Sequence, residues 1–175
     1  MNPLRDVMNC FTNRAFLVRS GVEPGINQTL FLRNEVAPLA SPIPDLRLYF
    51  NFQYQVVPYE SPRDSYRVTT TGYIYALQLG DKELFAYHYH PGSRVDGAHL
   101  HLYAPAAHLA ERFRKAHFPT KRIAFEEFMV LAAEEFGVQA IVPYERENVW
   151  RGILAGTQKR FEDHQTWSGR RKPDA

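Results

Sequence analysis

Cysteine, long apolar runs and a dominant charge are what this chain has least of. Its 175 residues include one cysteine, Cys10, so no disulfide can close within the chain. The opening MNPLRDVMNCF has no basic region followed by an apolar signal core, and no apolar run approaches the roughly 20 residues that a membrane-spanning helix needs. These absences point to a reducing, cytoplasmic setting with no membrane partner. Without a secretory signal, the sequon Asn27-Gln28-Thr29 reads as an ordinary polar turn. Net charge is only +2. Up to residue 90, eight Lys and Arg balance eight Asp and Glu, and most of the later excess lies in Gly169-Arg170-Arg171-Lys172-Pro173. The broad basic footprint that duplex nucleic acid demands is therefore missing, which leaves room only for local basic patches. G-x-S-x-G, Walker A, H-E-x-x-H, C-x-x-C and dinucleotide fingerprints are absent too, which removes the hydrolases and nucleotide-binding folds that announce themselves by motif.

What is present is an apolar and aromatic chain, 45% and 14% of residues, long enough for one core and short for two. Residues 1–167 read as a single domain and 168–175 as a flexible basic tail. Asn2-Pro3 starts a helix whose stripe is Leu4, Val7, Met8, Phe11 and Ala15. Gln28 to Arg33 suits a short strand, and Glu35 to Asp45, with three prolines, a loop. From Leu46 to Val56, the even positions Leu46, Leu48, Phe50, Phe52, Tyr54 and Val56 alternate with Arg47, Tyr49, Asn51, Gln53 and Gln55, the signature of a strand with one apolar face. Tyr66 to Leu79 and Glu83 to His90 form a hairpin around Gly80-Asp81-Lys82, and Ala98 to Tyr103 adds another strand. Helical patterns follow at Ala106–Ala116, Phe125–Phe136, stopped by Gly137, and Glu147–Phe161. The expected fold class is α+β: a four- to five-stranded antiparallel meander with helices on one face and a polar, histidine-bearing opposite face.

The stretch HYHPGSRVDGAHLH, residues 88–101, holds four of the seven histidines as two H-x-H pairs. On strands, each pair shares a face. Tyr87 and Tyr89 between one pair, and Leu100 and Leu102 beside the other, need a common buried face, which puts all four histidines together on the other side. The expected register pairs His90 with His99 and His88 with His101. Across the preceding hairpin it pairs Leu77 with Phe85, Tyr75 with Tyr87, Tyr73 with Tyr89 and Ile74 with His88, and sets Gly72 opposite His90. There the missing side chain would leave room for a ligand, or would mark a β-bulge.

Several imidazoles around one point suit a divalent transition metal, zinc being the type case, with His88, His90, His99 and His101 as ligands and Asp96 as a weaker carboxylate candidate. Three ligands would leave a position for activated water, whereas four would make a structural site. The same four residues suit metal-free acid–base chemistry on a phosphodiester, with Arg47 and Tyr49 stabilising charge and Asn51, Gln53, Gly72 and Arg94 contacting substrate. A third reading is a non-catalytic polar face that binds a metal or a partner. His108, His117 and His164 read as surface residues, Cys10 as core, and Trp150 and Trp167 as packing residues.

Residues 84–137, LFAYHYHPGSRVDGAHLHLY followed by HFPTKRIAFEEFMVLAAEEFGV, resemble the TumE-type toxins of bacterial toxin-antitoxin systems. That family pairs a strand-borne histidine cluster with a following helix that often opens on an acidic residue. The resemblance implies a growth-inhibiting protein acting on RNA or a nucleotide and neutralised by a protein antitoxin; together with the convergent histidines it points to a hydrolase or ribonuclease-like activity on a phosphodiester. The histidines at 88, 90, 99 and 101 match its patch; Arg47 and Tyr49 rest on register alone.

Overall fold

Leu4, Val7, Met8 and Phe11 recur at helical spacing, and in the computed structural model they line helix α1 (Pro3–Phe11), with Val7, Met8 and Phe11 buried in the core. The structure describes residues 3–13, 17–20, 23–58, 66–92, 97–102 and 118–141, together with 152, 155 and 156. Seven strands follow α1: β1 (Leu17–Arg19), β2 (Gln28–Pro38), β3 (Leu46–Pro58), β4 (Tyr66–Leu79), β5 (Lys82–Tyr89), β6 (Ala98–Leu102) and β7 (Phe118–Pro119). They pair antiparallel in sequence order, so the sheet is a meander without crossovers. Helix α2 (Phe125–Phe136) comes next.

The α+β class and the antiparallel sheet agree with the sequence, but the strand count does not. Among the described residues seven strands stand where four to five are expected, because β1 and β7 are three and two residues long, too short to display alternation. The expected loop at Glu35–Asp45 is also partly strand. After a bulge, with Glu35 at φ 62°, β2 resumes and pairs Val36, Ala37 and Pro38 with Tyr49, Leu48 and Arg47. Pro38 is tolerated because β1 reaches only Leu30 to Leu32, so the proline's missing N–H faces no ladder. The proposed helices at Ala106–Ala116 and Glu147–Phe161 lie outside the described residues, apart from helical Gly152, Ala155 and Gly156. The tail at 168–175 and His108, His117, His164, Trp150 and Trp167 lie outside them too.

One face of the sheet carries the aromatic core. Phe50 stacks on Tyr75 across β3 and β4 at 5.5 Å, and Tyr73 stacks on Tyr75 at 4.5 Å. Helix α2 lays Phe125 edge-on to Phe50 at 4.9 Å and places Phe128 against Phe85 at 5.6 Å. Such offset and edge contacts are the favourable aromatic geometries. The expected hairpin register holds from Tyr73–Tyr89 to Leu77–Phe85, and this keeps Tyr73, Tyr75, Leu77, Phe85, Tyr87 and Tyr89 in one layer. A register shift between Leu77 and Gln78 then shortens the expected three-residue loop to Gly80-Asp81.

Helix α2 ends as its sequence suggests: Gly137 takes the left-handed conformation at φ 63°, and Val138 N–H donates to the Ala132 carbonyl at 3.2 Å. Beyond it the chain is tied back, Gln139 N–H to Ala40 O and Ile141 N–H to Cys10 O, both at 2.8 Å. Cys10 is buried as expected; burial, with the Asp6 charge second, pushes its thiol pKa up.

Candidate metal centre

The opposite face of β5 and β6 gathers the histidines. His88 faces out from β5, and His99 and His101 from β6, all three turned away from the aromatic layer. The register differs from expectation by two residues. His88 pairs with His99 and Ala86 with His101, whereas His90 follows the last pair, Tyr89 with Ala98. The common apolar face is retained, because Tyr87 meets Leu100 and Phe85 meets Leu102 where the expected register pairs Tyr87 with Leu102 and Tyr89 with Leu100. The ends set the offset: Gly97, at φ 97°, turns the chain just before Ala98, and His90-Pro91-Gly92, with Gly92 at φ 80°, leaves the strand just after Tyr89.

Three rings are thereby packed together. His88 and His101 stack with centroids 4.2 Å apart at 19°; His99 lies 5.0 Å from His101 and 5.6 Å from His88. His88 and His101 are diagonal neighbours, and they lean into contact over Ala86, whose methyl takes little room between them. Among the described residues, His88, His99 and His101 form a group in which one nitrogen of each lies within 4.8 Å of the others. Three points so spaced share a centre no more than about 2.8 Å from each, against the ~2.0–2.1 Å of a zinc–imidazole bond. The nitrogens stand within about 1 Å of ligand distance from a common centre, and the stacked rings of His88 and His101 would also have to turn to aim at it.

The surroundings orient the rings. His99 is 4% exposed, and its Nδ1 lies 3.2 Å from the Gly97 carbonyl. A carbonyl can only accept, so that bond calls for the Nδ1–H tautomer, in which Nε2 is the basic nitrogen, the arrangement that backbone carbonyls commonly enforce on ligating histidines. Nε2 of His88 and Nε2 of His101 are shielded from solvent and make no hydrogen bond, while both rings keep their other contacts. On the same face Ala76 and Ala86 are both 0% exposed, whereas His88 and His101 are half-buried. His90 is half-buried and edge-on to His88, centroids 5.5 Å apart at 84°. Burial lowers its pKa from the ordinary imidazole value, with His99 adding a smaller push in the same direction.

The remaining candidates scatter. Arg47 is held at the end of the sheet, where Nε donates to Asp45 Oδ1 at 2.9 Å and a second nitrogen lies 3.6 Å from Asp81. Tyr49 shares a cross-strand row with His101, but Ala76 and Ala86 stand between them, three strand spacings or roughly 14 Å. Asn51, its Oδ1 buried without a hydrogen bond, is two spacings from His88, with Ile74 between. Neither Arg47 nor Tyr49 is therefore brought to the histidines.

Gly72 does not open a ligand space. A Cβ there would lie 3.0 Å from Gln53 Oε1 and 3.1 Å from the Tyr89 carbonyl oxygen, so the Gln53 amide fills the gap, and the register shift after the Gln53–Gly72 pair identifies the bulge instead. Nor does Gly72 pair with His90, since the ladder stops at Tyr73–Tyr89. Arg94 and Asp96 lie outside the described residues. Sequence reasoning missed the Gly97 carbonyl that orients His99, and β7, whose Pro119 backbone flanks His99 on the far side. A backbone acceptor leaves no residue-type signal.

Comparison with protein-family models, with curated proteins and with solved structures finds no match to this chain.

Proposed function

We propose that His88, His99 and His101 bind one divalent transition metal, zinc or a chemically similar ion, and that the centre serves hydrolysis by metal-activated water. The observation that carries this reading is the convergence of three imidazole nitrogens within 4.8 Å, with His99 among them buried. Two features add support. The Gly97 carbonyl favours the tautomer of His99 that presents Nε2. The donor set is all nitrogen, which suits zinc, copper, nickel or cobalt and disfavours the oxygen-seeking magnesium and calcium. Three protein ligands leave one tetrahedral position, and a bound metal there would lower the pKa of its water toward neutrality. The metal-free acid–base alternative loses support, because its charge-stabilising partners Arg47 and Tyr49 stand away from the cluster. The substrate class we assign, a phosphodiester in RNA or a nucleotide, follows the TumE-type resemblance, as does an antitoxin partner. Among the described residues, no helix is long and apolar enough to cross a membrane.

Metal analysis and activity assay together test the proposal. Freshly purified protein should carry close to one transition-metal ion per chain. His99→Ala should lose it, and cleavage of an activated phosphodiester or an RNA should vanish in the chelated protein and return with zinc. Absence of metal both after purification and after zinc titration would sink the reading; metal binding without any cleavage would leave a structural centre in place of an enzyme.

A further inference from the structure

His90 stands apart from the triad in a way that suggests a use. It shares the face and the strand line of His88, two residues on, yet the three-nitrogen group excludes it. Its backbone lies beyond the last pair of the β5–β6 ladder, between Tyr89 and the Pro91-Gly92 turn, so it is not held in the sheet as His88 is. Continuing the β5–β6 register by one step would bring it opposite Gly97. Gly97 has no side chain, and among the described residues a Cβ added there would meet nothing within 4 Å. Among the described residues the imidazole of His90 therefore has lateral room on its Gly97 side. His90 is half-buried, as His88 and His101 are, whereas His99 is buried. H-x-H along one strand is also a spacing from which both rings can reach a single ion.

We propose that His90 is an exchangeable fourth ligand to the metal held by His88, His99 and His101. With no substrate present, a nitrogen of His90 completes the tetrahedron and the centre is closed. When water or a substrate oxygen takes the position, the His90 nitrogen–metal bond breaks, the oxygen–metal bond forms, and the ring swings into the space beside Gly97. No electron changes hands, and the coordination number stays at four. The inference rests on the three-histidine reading and adds a built-in means of opening and closing it.

Cobalt(II) substitution tests it, because ligand exchange changes the visible spectrum and azide reports an open position. Chelated wild-type protein, His90→Ala and His90→Gln are loaded with cobalt and titrated with azide, their folding checked by circular dichroism. Wild type should give the intense absorption of a four-coordinate site and respond weakly to azide. Both variants should still bind cobalt, with affinity lowered about tenfold, and should bind azide at least tenfold more tightly. Added imidazole should restore the wild-type spectrum of His90→Ala. Identical spectra and azide affinities in wild type and folded variants would overturn the exchangeable ligand and leave the triad intact. Failure of wild type to bind cobalt at all would overturn the triad itself, and His90's role with it.

Discussion

A methyl group at position 72 would stand 3.0 Å from the Gln53 amide oxygen and 3.1 Å from the Tyr89 carbonyl. The first neighbour is the end of a side chain and can move, but the second is backbone in a paired strand. Gly72→Ala should therefore cost about 1–3 kcal/mol, and Gln53→Ala in the same background should recover only part of it, as read from denaturant midpoints. Tyr73 gives a second prediction at this scale. Its hydroxyl accepts the Ile123 N–H at 3.0 Å, and burial raises its pKa to about 12, outweighing that bond and the Arg122 charge, which act in the other direction. Below pH 10 the phenol is protonated in both states. Between 10 and about 12 the unfolded chain releases the proton and the native chain holds it, so the stability Tyr73 contributes falls as pH rises through that window. Tyr73→Phe should be less stable than wild type by about 1–3 kcal/mol near neutrality, because the buried Ile123 N–H loses its acceptor. That deficit should shrink by up to about 2 kcal/mol in unfolding measured near pH 11.5, since phenylalanine has no proton to lose.

Elements differ in how openly the sequence declares them. The pairing of β4 with β5 was legible because aromatic and apolar residues alternate through both strands and the Gly80-Asp81 turn is short. The shared face of His88, His99 and His101 was legible for the same reason. The offset of β6 was not: two registers that differ by two residues bury the same Tyr87 and Leu100, so face segregation decides parity and nothing more. Gly97 and the Pro91-Gly92 turn decide the rest, and their effect depends on where each strand stops. This is why four convergent histidines became three and one. Helix α2 was legible at both ends, yet its start is secured by a contact that spacing alone does not reveal. Glu127 Oε2 reaches back to accept the Ala124 N–H at 2.8 Å, although Ala124 offers no side-chain acceptor in return. Glu127→Ala should cost about 0.5–2 kcal/mol in thermal unfolding. Its other partner, Lys121 at 3.4 Å, is largely exposed, so Lys121→Ala should be nearly neutral. A Lys121 variant as damaging as the Glu127 variant would show that the ion pair, and not the cap, secures the helix.

For the molecule as a whole, the two faces of one sheet divide the labour. The aromatic side joins β3, β4 and β5 to α2 and supplies the core; the other side spends its burial on imidazoles. Because His88 and His99 are cross-strand partners on strands that also build the core, an ion bound between them would stabilise the global fold and not a detachable loop. An unfolded chain cannot hold three imidazoles in this geometry, so the added stability is set by mass action: about 4 kcal/mol at a thousandfold excess of metal over Kd. In a chain of this length each kcal/mol shifts Tm by roughly 2–4 °C, so saturating zinc should raise Tm by about 8–16 °C, with chelator reversing the shift. Each of His88→Ala, His99→Ala and His101→Ala will melt lower even without metal, because each removes a packed ring. The informative quantity is therefore the zinc-dependent shift within each variant. It should collapse to a few degrees or less in all three and survive, reduced, in His90→Ala. Equal shifts in wild type and the triad variants would place the zinc elsewhere on the protein.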